Sequence, residues 1–347
     1  MEGGGAYNKA GLNQLSIVHR TSAFLQDSVN HLAVAKQHAP LLRIADLGAS
    51  QGRNSVELLA TVLKQLHASL PSPLSREYLV YHEDQPGNDF ESLFQTLHGP
   101  ASYLDRFPNV YASVISKSFY ERVLPSESVD LALSYVSLQW LSKLPTPLPG
   151  RHVTMFVPHK APPALVHEWK TAAHNDLVRF LQLRAVELSD NGVLCTTMVS
   201  KTHSPTAELL HKAFGTWVVE AVANGLVSPT TMEAMGLPLY FRSEDEVRVA
   251  TADVPELTLT ALETVSLEMP FEDVAAVANF FSVIMKSALM AHLTDDERAN
   301  MALHNALEAS LLRHFDVLVD VHGVMQPLYK SVTIDYIYAA WTRRSRN

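Results

Sequence analysis

The chain has 347 residues, 47% hydrophobic and 18% charged, so it can bury a sizeable core and is not disordered. A formal net charge of -9 offers no basic field for phosphates and argues against a nucleic-acid partner. Its one cysteine, Cys195, rules out an intrachain disulfide, fits a reducing, cytoplasmic compartment and reads as a buried structural thiol.

The N-terminal MEGGGAYNKAG lacks the apolar run of a signal peptide. A helix is expected over Leu12–Val34, stopped by Pro40 before the first strand. Next, LLRIADLGASQGRN at Leu41–Asn54 reads as strand, glycine turn and helix start. Behind it Val56, Leu59, Val62, Leu63 and Leu66 recur at helical spacing. This is the first unit of a nucleotide-binding α/β sheet. Gly48 and Gly52 tolerate positive φ and let a ligand approach the backbone. An acid at Asp46 is out of place beside a pyrophosphate; it suits a cationic group, such as the ammonium of S-adenosylmethionine (SAM). The full G-x-G-x-x-G is absent, which argues against an NAD-type oxidoreductase.

A second strand, Glu77–Asp84, ends in Glu83 and Asp84, where a carboxylate can accept both ribose hydroxyls. Val110–Ile115 and Val129–Leu133 are near-continuous apolar runs, as in a parallel sheet covered on both faces. The segments that follow place Ser118, Phe119 and Trp140 at the ligand crevice. Phe119 either stacks on adenine or fills the core. Pro145–Pro163 reads as a linker or lid. A long helix, about Ala164–Leu188, is expected to end at Asp190-Asn-Gly192 with Gly192 as its C-cap, followed by a strand at Val193–Val199. From His203 to about Phe315 the pattern is helical and predicts a cap over the sheet edge. Within it, Val274–Met285 is too short to span a bilayer, so no membrane partner is expected. Val317–Val321 and Val332–Trp341 are expected to return to the sheet as its last, partly antiparallel strands. The histidines show no metal-ligand spacing, and no metal is expected.

Taken together, these motifs resemble the SABATH family of SAM-dependent methyltransferases, known for plant salicylate, benzoate and jasmonate carboxyl methyltransferases and for caffeine-pathway N-methyltransferases. The resemblance is carried, in order, by IADLGASQGRN at Ile44–Asn54, EDQPGNDF at Glu83–Phe90, SFYERVLP at Ser118–Pro125 and SLQWLSKLP at Ser137–Pro145. It implies an α/β fold: a Rossmann-like class I SAM-dependent methyltransferase sheet with a helical cap. Residues 1–40 would close the active site, 41–202 would bind SAM (with a lid segment at about 145–163), 203–315 would cap the substrate, and 316–347 would return to the sheet.

The resemblance also implies roles. Asp46, Gly48 and Asn54 would line the methionine end of SAM. Asp84, with Gln85 beside it, would hold the ribose, and Ser118 and Phe119 the adenine. Gln14 and Trp140 would orient a substrate carboxylate through neutral N–H donors, with no general base required. Tyr7, Val136, His211 and Phe214 would line the substrate pocket. The products would be a methyl ester and S-adenosylhomocysteine (SAH), and the assembly a homodimer. Departures from the family pattern leave the cofactor assignment mostly intact and bear chiefly on the substrate. Glu2 stands for the usual lysine, Gly11 for a serine, Glu83 for an asparagine, Val136 (next to Tyr135) for a tyrosine, and His211 or its neighbours for a tryptophan. They leave the acid open as aromatic, aliphatic or dicarboxylic. An N-methyltransferase acting on a small amine or purine-like substrate and a non-catalytic SAM-fold binding protein remain as rival readings.

Overall fold

A computed structural model of the chain describes residues 12–148, 153–201 and 205–345. Tyr7 lies outside these residues, and so does the side chain of Gln14. The apolar runs form strands β1 (Leu41–Leu47), β2 (Glu77–Asp84), β3 (Val110–Ser116), β4 (Val129–Tyr135), β5 (Leu188–Val199) and β6 (Leu257–Glu268). A short hairpin follows, β7 (Leu318–Val321) with β8 (Val324–Pro327), and then β9 (Thr333–Arg343). All but the hairpin join one seven-stranded sheet of order β3-β2-β1-β4-β5-β9-β6. Strands β1 to β5 run parallel, and β9 runs antiparallel between β5 and β6. The order reverses between β1 and β4, so a crevice opens at the carboxyl ends of these two strands.

Helices α1 (Leu12–Arg20), α2 (Ser22–Ala35), α3 (Arg53–Ser69) and α4 (Phe90–Leu97) cover one face. The predicted periodicity of α3 is the buried one: Val56, Leu59, Val62, Leu63 and Leu66 are each at most 3% exposed. Burying each stabilises the sheet by roughly 1.5–3 kcal/mol. The opposite face carries α5 (Pro163–Glu187), through Leu177, Phe180 and Leu181. The remaining helices are α6 (Pro205–Ala223), α7 (Pro229–Ala234), α8 (Glu244–Ala252), α9 (Val274–Met290), α10 (Asp295–Ala299) and α11 (Met301–Phe315). Of these α8 packs on the α5 face, while α6, α9 and α11 build the cap around a core of Phe214, Trp217, Phe280, Phe281, Leu307 and Phe315. No helix among the described residues is long and apolar enough to cross a membrane.

Four local expectations differ from what is observed, each for a physical reason. The single N-terminal helix is two, because the Thr21 hydroxyl donates back to the Ile17 carbonyl (2.7 Å) and the chain bends there. Gly192 is not a helix C-cap. Helix α5 ends at Glu187, and residues 189–192 bulge between the Leu188 and Val193 pairings with β4, with Asn191 at φ 59°. The region 203–315 is not wholly helical. It contains β6, whose Thr258, Thr260, Thr264 and Val265 favour a half-exposed strand at the sheet edge. Of the two tail segments only the second enters the sheet, as β9; the first pairs with β8 in its own hairpin. Around the expected lid, Val153–Val157 are buried, and the Leu237 N–H donates to the Val153 carbonyl at 2.7 Å, tying this strap to the cap.

Candidate functional site

The site begins where β1 runs out. Gly48 and Gly52 both have positive φ, 93° and 95°, which an L side chain adopts only under strain. A Cβ on Gly48 would lie 2.2 Å from Ser137 Oγ, so the turn passes too close to the β4 end for any side chain. The Gly48 and Ala49 N–H groups both donate to the Glu83 carbonyl at 2.9 Å, welding the turn to the end of β2. Asp84 completes the weld: its carboxylate accepts from the Ser50 N–H (2.7 Å) and the Gln85 N–H (2.8 Å). Burial nevertheless pushes its pKa up to about 6.

Asp46 is 3% exposed and accepts a hydrogen bond from the Ser55 hydroxyl at the start of α3. Burial raises its pKa from 3.8 to about 7; the Ser55 hydrogen bond opposes the rise and the charge of Asp84 adds to it. It lines a small chamber with Gly48, Arg53, Asn54 and, from α1, Ile17 and Val18. Glu83 is fully buried, accepts from the Gly48 N–H at 3.2 Å, and is held well above the usual carboxylate range by burial and by Asp84.

The segment after β3 is clamped from α5. Buried Arg184 pairs with Glu187 at 2.9 Å and donates to the Phe119 and Glu121 carbonyls at 3.1 and 3.2 Å. Glu187 in turn accepts the Val123 and Leu124 N–H groups. Phe119 is thereby set edge-on to Phe180, with ring centroids 5.7 Å apart. The Ser118 hydroxyl accepts from the Tyr120 N–H.

A cleft of about 510 Å³ joins these parts, reaching from Gly48, Asp84, Gln85, Ser118 and Phe119 to Val136, Gln139 and Trp140. A second, apolar pocket of about 80 Å³ shares Val136, Gln139 and Trp140 and continues to Leu210, Phe280 and Met285 of the cap. Val136, at φ 56°, is a left-handed β-branched residue, held by its N–H donating to Thr197. Trp140 is held by its backbone. Its N–H donates to the Ser137 carbonyl, and its own carbonyl accepts from the Tyr120 hydroxyl at 2.6 Å. Its indole N–H has no partner among the described residues. Buried Arg242 donates to the Leu138 carbonyl and steadies the same loop.

The structure thus brings together Asp46, Gly48, Asn54, Asp84, Gln85, Ser118, Phe119, Val136 and Trp140 around three adjoining cavities that share lining residues. It does not bring His211 or Phe214 there. His211 is 3.0 Å from the Thr154 hydroxyl on the strap, and Phe214 is wholly buried in the cap core. The physical reason is position along α6: His211 and Phe214 follow Ala207 and Leu210 by four residues each, so they share that face one turn farther from the pocket. On α6 it is Thr206, Ala207 and Leu210 that turn to the pocket. Sequence reasoning missed Gln139, Arg184 and Arg242. Gln139 is 6% exposed; its amide N–H donates to the Val136 carbonyl at 2.8 Å and its buried carbonyl oxygen has no partner among the described residues. A polar Gln139 inside the apolar run Leu138–Leu141 was the available signal, as was Arg184 with Glu187 three residues on along an otherwise apolar helix face.

These residues fit SAM: a turn with no room for a Cβ, strand-end carboxylates for an ammonium and for hydroxyls, and an aromatic wall. The comparisons agree. The family model for SAM-dependent carboxyl methyltransferases matches residues 1–322. A benzoic acid/salicylic acid carboxyl methyltransferase of Petunia hybrida is 29% identical over 64% of this chain, although the matched stretch spans only 66% of that enzyme. Caffeine synthase 1 of Camellia taliensis is 26% identical over 77% of this chain and 76% of its own. Loganic acid methyltransferase, solved with SAH, superposes with a TM-score of 0.81 over 99% of this chain and 98% of its own at 21% identity, and so shares the fold. The chain belongs to the SABATH family of SAM-dependent carboxyl methyltransferases, and its cofactor is SAM.

Proposed function

We propose that the chain transfers a methyl group to the carboxylate of a small, largely apolar carboxylic acid, giving its methyl ester. The observation that carries this reading is the unpartnered indole N–H of Trp140 at the seam between the cofactor cleft and the apolar pocket. A neutral donor there orients a carboxylate without the salt bridge that would blunt its nucleophilicity. Gln14 is the second such donor in this reading, on the strength of the family resemblance alone. SAM, when bound, supplies a methyl group made electrophilic by a sulfonium. Asp46 would accept the ammonium of its amino-acid end, Asp84 its ribose hydroxyls, and Phe119 would flank its adenine. A carboxylic acid with a pKa of ~4 is already ionised near neutral pH, so no side chain need take a proton. Leu210, Phe280 and Met285 exclude water from the acid, and alignment with partial desolvation does the rest.

The unpartnered Gln139 oxygen adds a preference. A buried acceptor favours an acid whose body carries a hydrogen-bond donor, such as a hydroxyl, because a plain hydrocarbon would leave that oxygen unpaired. Homodimerisation and a cytoplasmic location are part of the same reading. The first rests on the family and the second on the lone, buried Cys195. Methyl transfer from labelled SAM across aromatic, terpenoid and short dicarboxylic acids tests the reading, with alkali lability of the product as readout. A base-labile, extractable label is expected. A label that survives alkali would favour the second reading, an amine substrate, which the similarity to a caffeine synthase keeps in play because caffeine carries its methyl groups on nitrogen. SAM binding without turnover of any acid or amine would leave the non-catalytic alternative.

A further inference from the structure

Behind Asp46 runs a buried chain of polar groups that the methyl transfer does not itself use. The Ser55 hydroxyl bonds Asp46 and also lies 2.9 Å from His82 Nδ1. On the far side of the ring, His82 Nε2 is 2.7 Å from the Tyr103 hydroxyl. Ser55 is 4% exposed, and His82 and Tyr103 are fully buried, the imidazole lying stacked against the phenol. His82 sits mid-strand in β2, and Tyr103 in the segment between α4 and β3.

Counting protons gives this chain a direction. The Tyr103 hydroxyl has one hydrogen-bond partner among the described residues, His82 Nε2, so that is where its proton must go. His82 then carries its own proton on Nδ1 and donates it to Ser55 Oγ. Ser55, its oxygen so occupied, sends its proton to Asp46. Every bond points toward a carboxylate that only accepts. In the reverse arrangement a protonated Asp46 would donate to Ser55, Ser55 to Nδ1, and Nε2–H to Tyr103, whose proton would be stranded in the core. Desolvation keeps the imidazole neutral, since burial holds its pKa near 3, so His82 never competes as a cation.

We propose that Tyr103 and His82 act through Ser55 as positioning residues that hold Asp46 in its anionic form for the ammonium of the cofactor. The inference rests on the reading that Asp46 receives that ammonium. The chain is needed because the surroundings of Asp46 favour the neutral acid. Asp84 at the end of β2 brings like charge, Glu83 beside it is held toward its neutral form by burial, Tyr135 on β4 is neutral, and α1 presents apolar Ile17 and Val18. Arg53, at the start of α3, is the cation lining the same chamber. One oxygen of Asp46 takes the Ser55 proton; its other accepts from no described residue and is left for the chamber.

The test is the dissociation constant of SAH, which keeps the ammonium, measured calorimetrically from about pH 5.5 to about pH 9. Wild type, Tyr103→Phe and Asp46→Asn are compared as full chains. Removing the phenol proton frees the imidazole tautomer and weakens the donation into Asp46. Tyr103→Phe should therefore bind SAH about three- to tenfold more weakly near pH 7, with the acid limb of binding displaced to higher pH, and should converge on wild type at the alkaline end. Asp46→Asn should bind weakly throughout, with that limb abolished. Wild-type behaviour of Tyr103→Phe beside a weak Asp46→Asn would overturn the chain and spare the Asp46 reading. Wild-type binding by Asp46→Asn would remove both. A further measurement needs no variant to fold: long-range proton–nitrogen spectra of His82 should show the Nδ1–H tautomer, and an Nε2–H tautomer would overturn the proposal.

Discussion

The two ends of the candidate site are made of different material. At the cofactor end the backbone is committed group by group: the N–H groups of Gly48, Ser50 and Gln85 all donate to Glu83 or Asp84 within 3.2 Å. At the cap end the walls are Leu210, Phe280, Ile284 and Met285, with Gln139 and Trp140 the polar groups nearest the seam. Directional bonds and positive φ angles demand particular residue types at particular spacings. Apolar burial demands volume, and a volume-conserving exchange usually costs less than about 1.5 kcal/mol. The cofactor end therefore announces itself as a motif, and the cap does not.

The sharpest way to break this asymmetry is one methyl group on each side. Gly48→Ala drives a Cβ to 2.2 Å from Ser137 Oγ at a φ of 93°. Affinity for SAH, measured by calorimetry, should fall by about a hundredfold or more, a loss of roughly 3 kcal/mol. Phe280→Leu in the cap should lower stability by about 1–3 kcal/mol yet leave SAH affinity within about twofold. Equal loss of SAH affinity in both variants would deny that the two ends are independent. Arg184→Met acts on stability on a comparable scale. It leaves Glu187 buried without its cation, and breaking such a pair costs about 3–5 kcal/mol. Thermal unfolding should show this. SAH should also bind more weakly, because the Phe119 carbonyl loses its donor. A variant melting with wild type would mean that the clamp stabilises nothing.

How much was legible follows the same division. The strand–turn–helix from Leu41 to Ser69 could be read nearly to the residue, because its alternation of apolar strand, glycine and amphipathic helix depends on local geometry alone. Asp84 and Phe119 were placed by topology, since segments after parallel strands must face the switch-point crevice. Gln139 shows locally only as one polar residue in the apolar run Leu138–Leu141, and nothing local says that its amide is buried with one oxygen unpaired among the described residues. Strand β6 was lost inside an expected helical region because its partner, β9, lies some 70 residues on, and pairing at that distance leaves little local trace. The family resemblance implies His211 and Phe214 in the pocket. They lie one turn too far along α6, where the helix packs on α11 and the strap rather than on the pocket.

Trp140→Phe probes the seam itself. The ring is kept and the N–H is lost, so KM for the acid should rise about tenfold with a smaller change in kcat, as expected when one hydrogen bond to a charged group is removed. SAH affinity should not move. An unchanged KM would withdraw Trp140 from carboxylate recognition.

The carboxylates set a pH dependence of definite sign. Asp46 and Asp84 have pKa values of about 7 and about 6 in the folded chain against 3.8 ordinarily. The native state therefore holds protons that the unfolded state has released. Their contribution to stability is full below about pH 4 and declines as pH rises toward 7. In the proposed reading the ammonium of SAM relieves the cost of ionising Asp46. The rise in melting temperature on adding SAH should thus be larger near pH 8 than near pH 5. Equal shifts at both values would show that the ligand does not meet an ionised Asp46.

The smallest expected effect speaks to the less legible end. Gln139→Leu keeps the volume of the wall and removes the buried acceptor and its donation to the Val136 carbonyl. Acids bearing a hydroxyl near the carboxylate should lose about three- to tenfold in kcat/KM, and their unsubstituted analogues should gain about twofold, because no buried oxygen is then left unpaired. The ratio between the two substrates, measured in competition, cancels any general damage to the fold. An unchanged ratio would mean that the Gln139 oxygen meets water in the working enzyme. Substrate choice would then rest on the apolar walls alone, where shape discriminates one methylene by only about 1–3 kcal/mol.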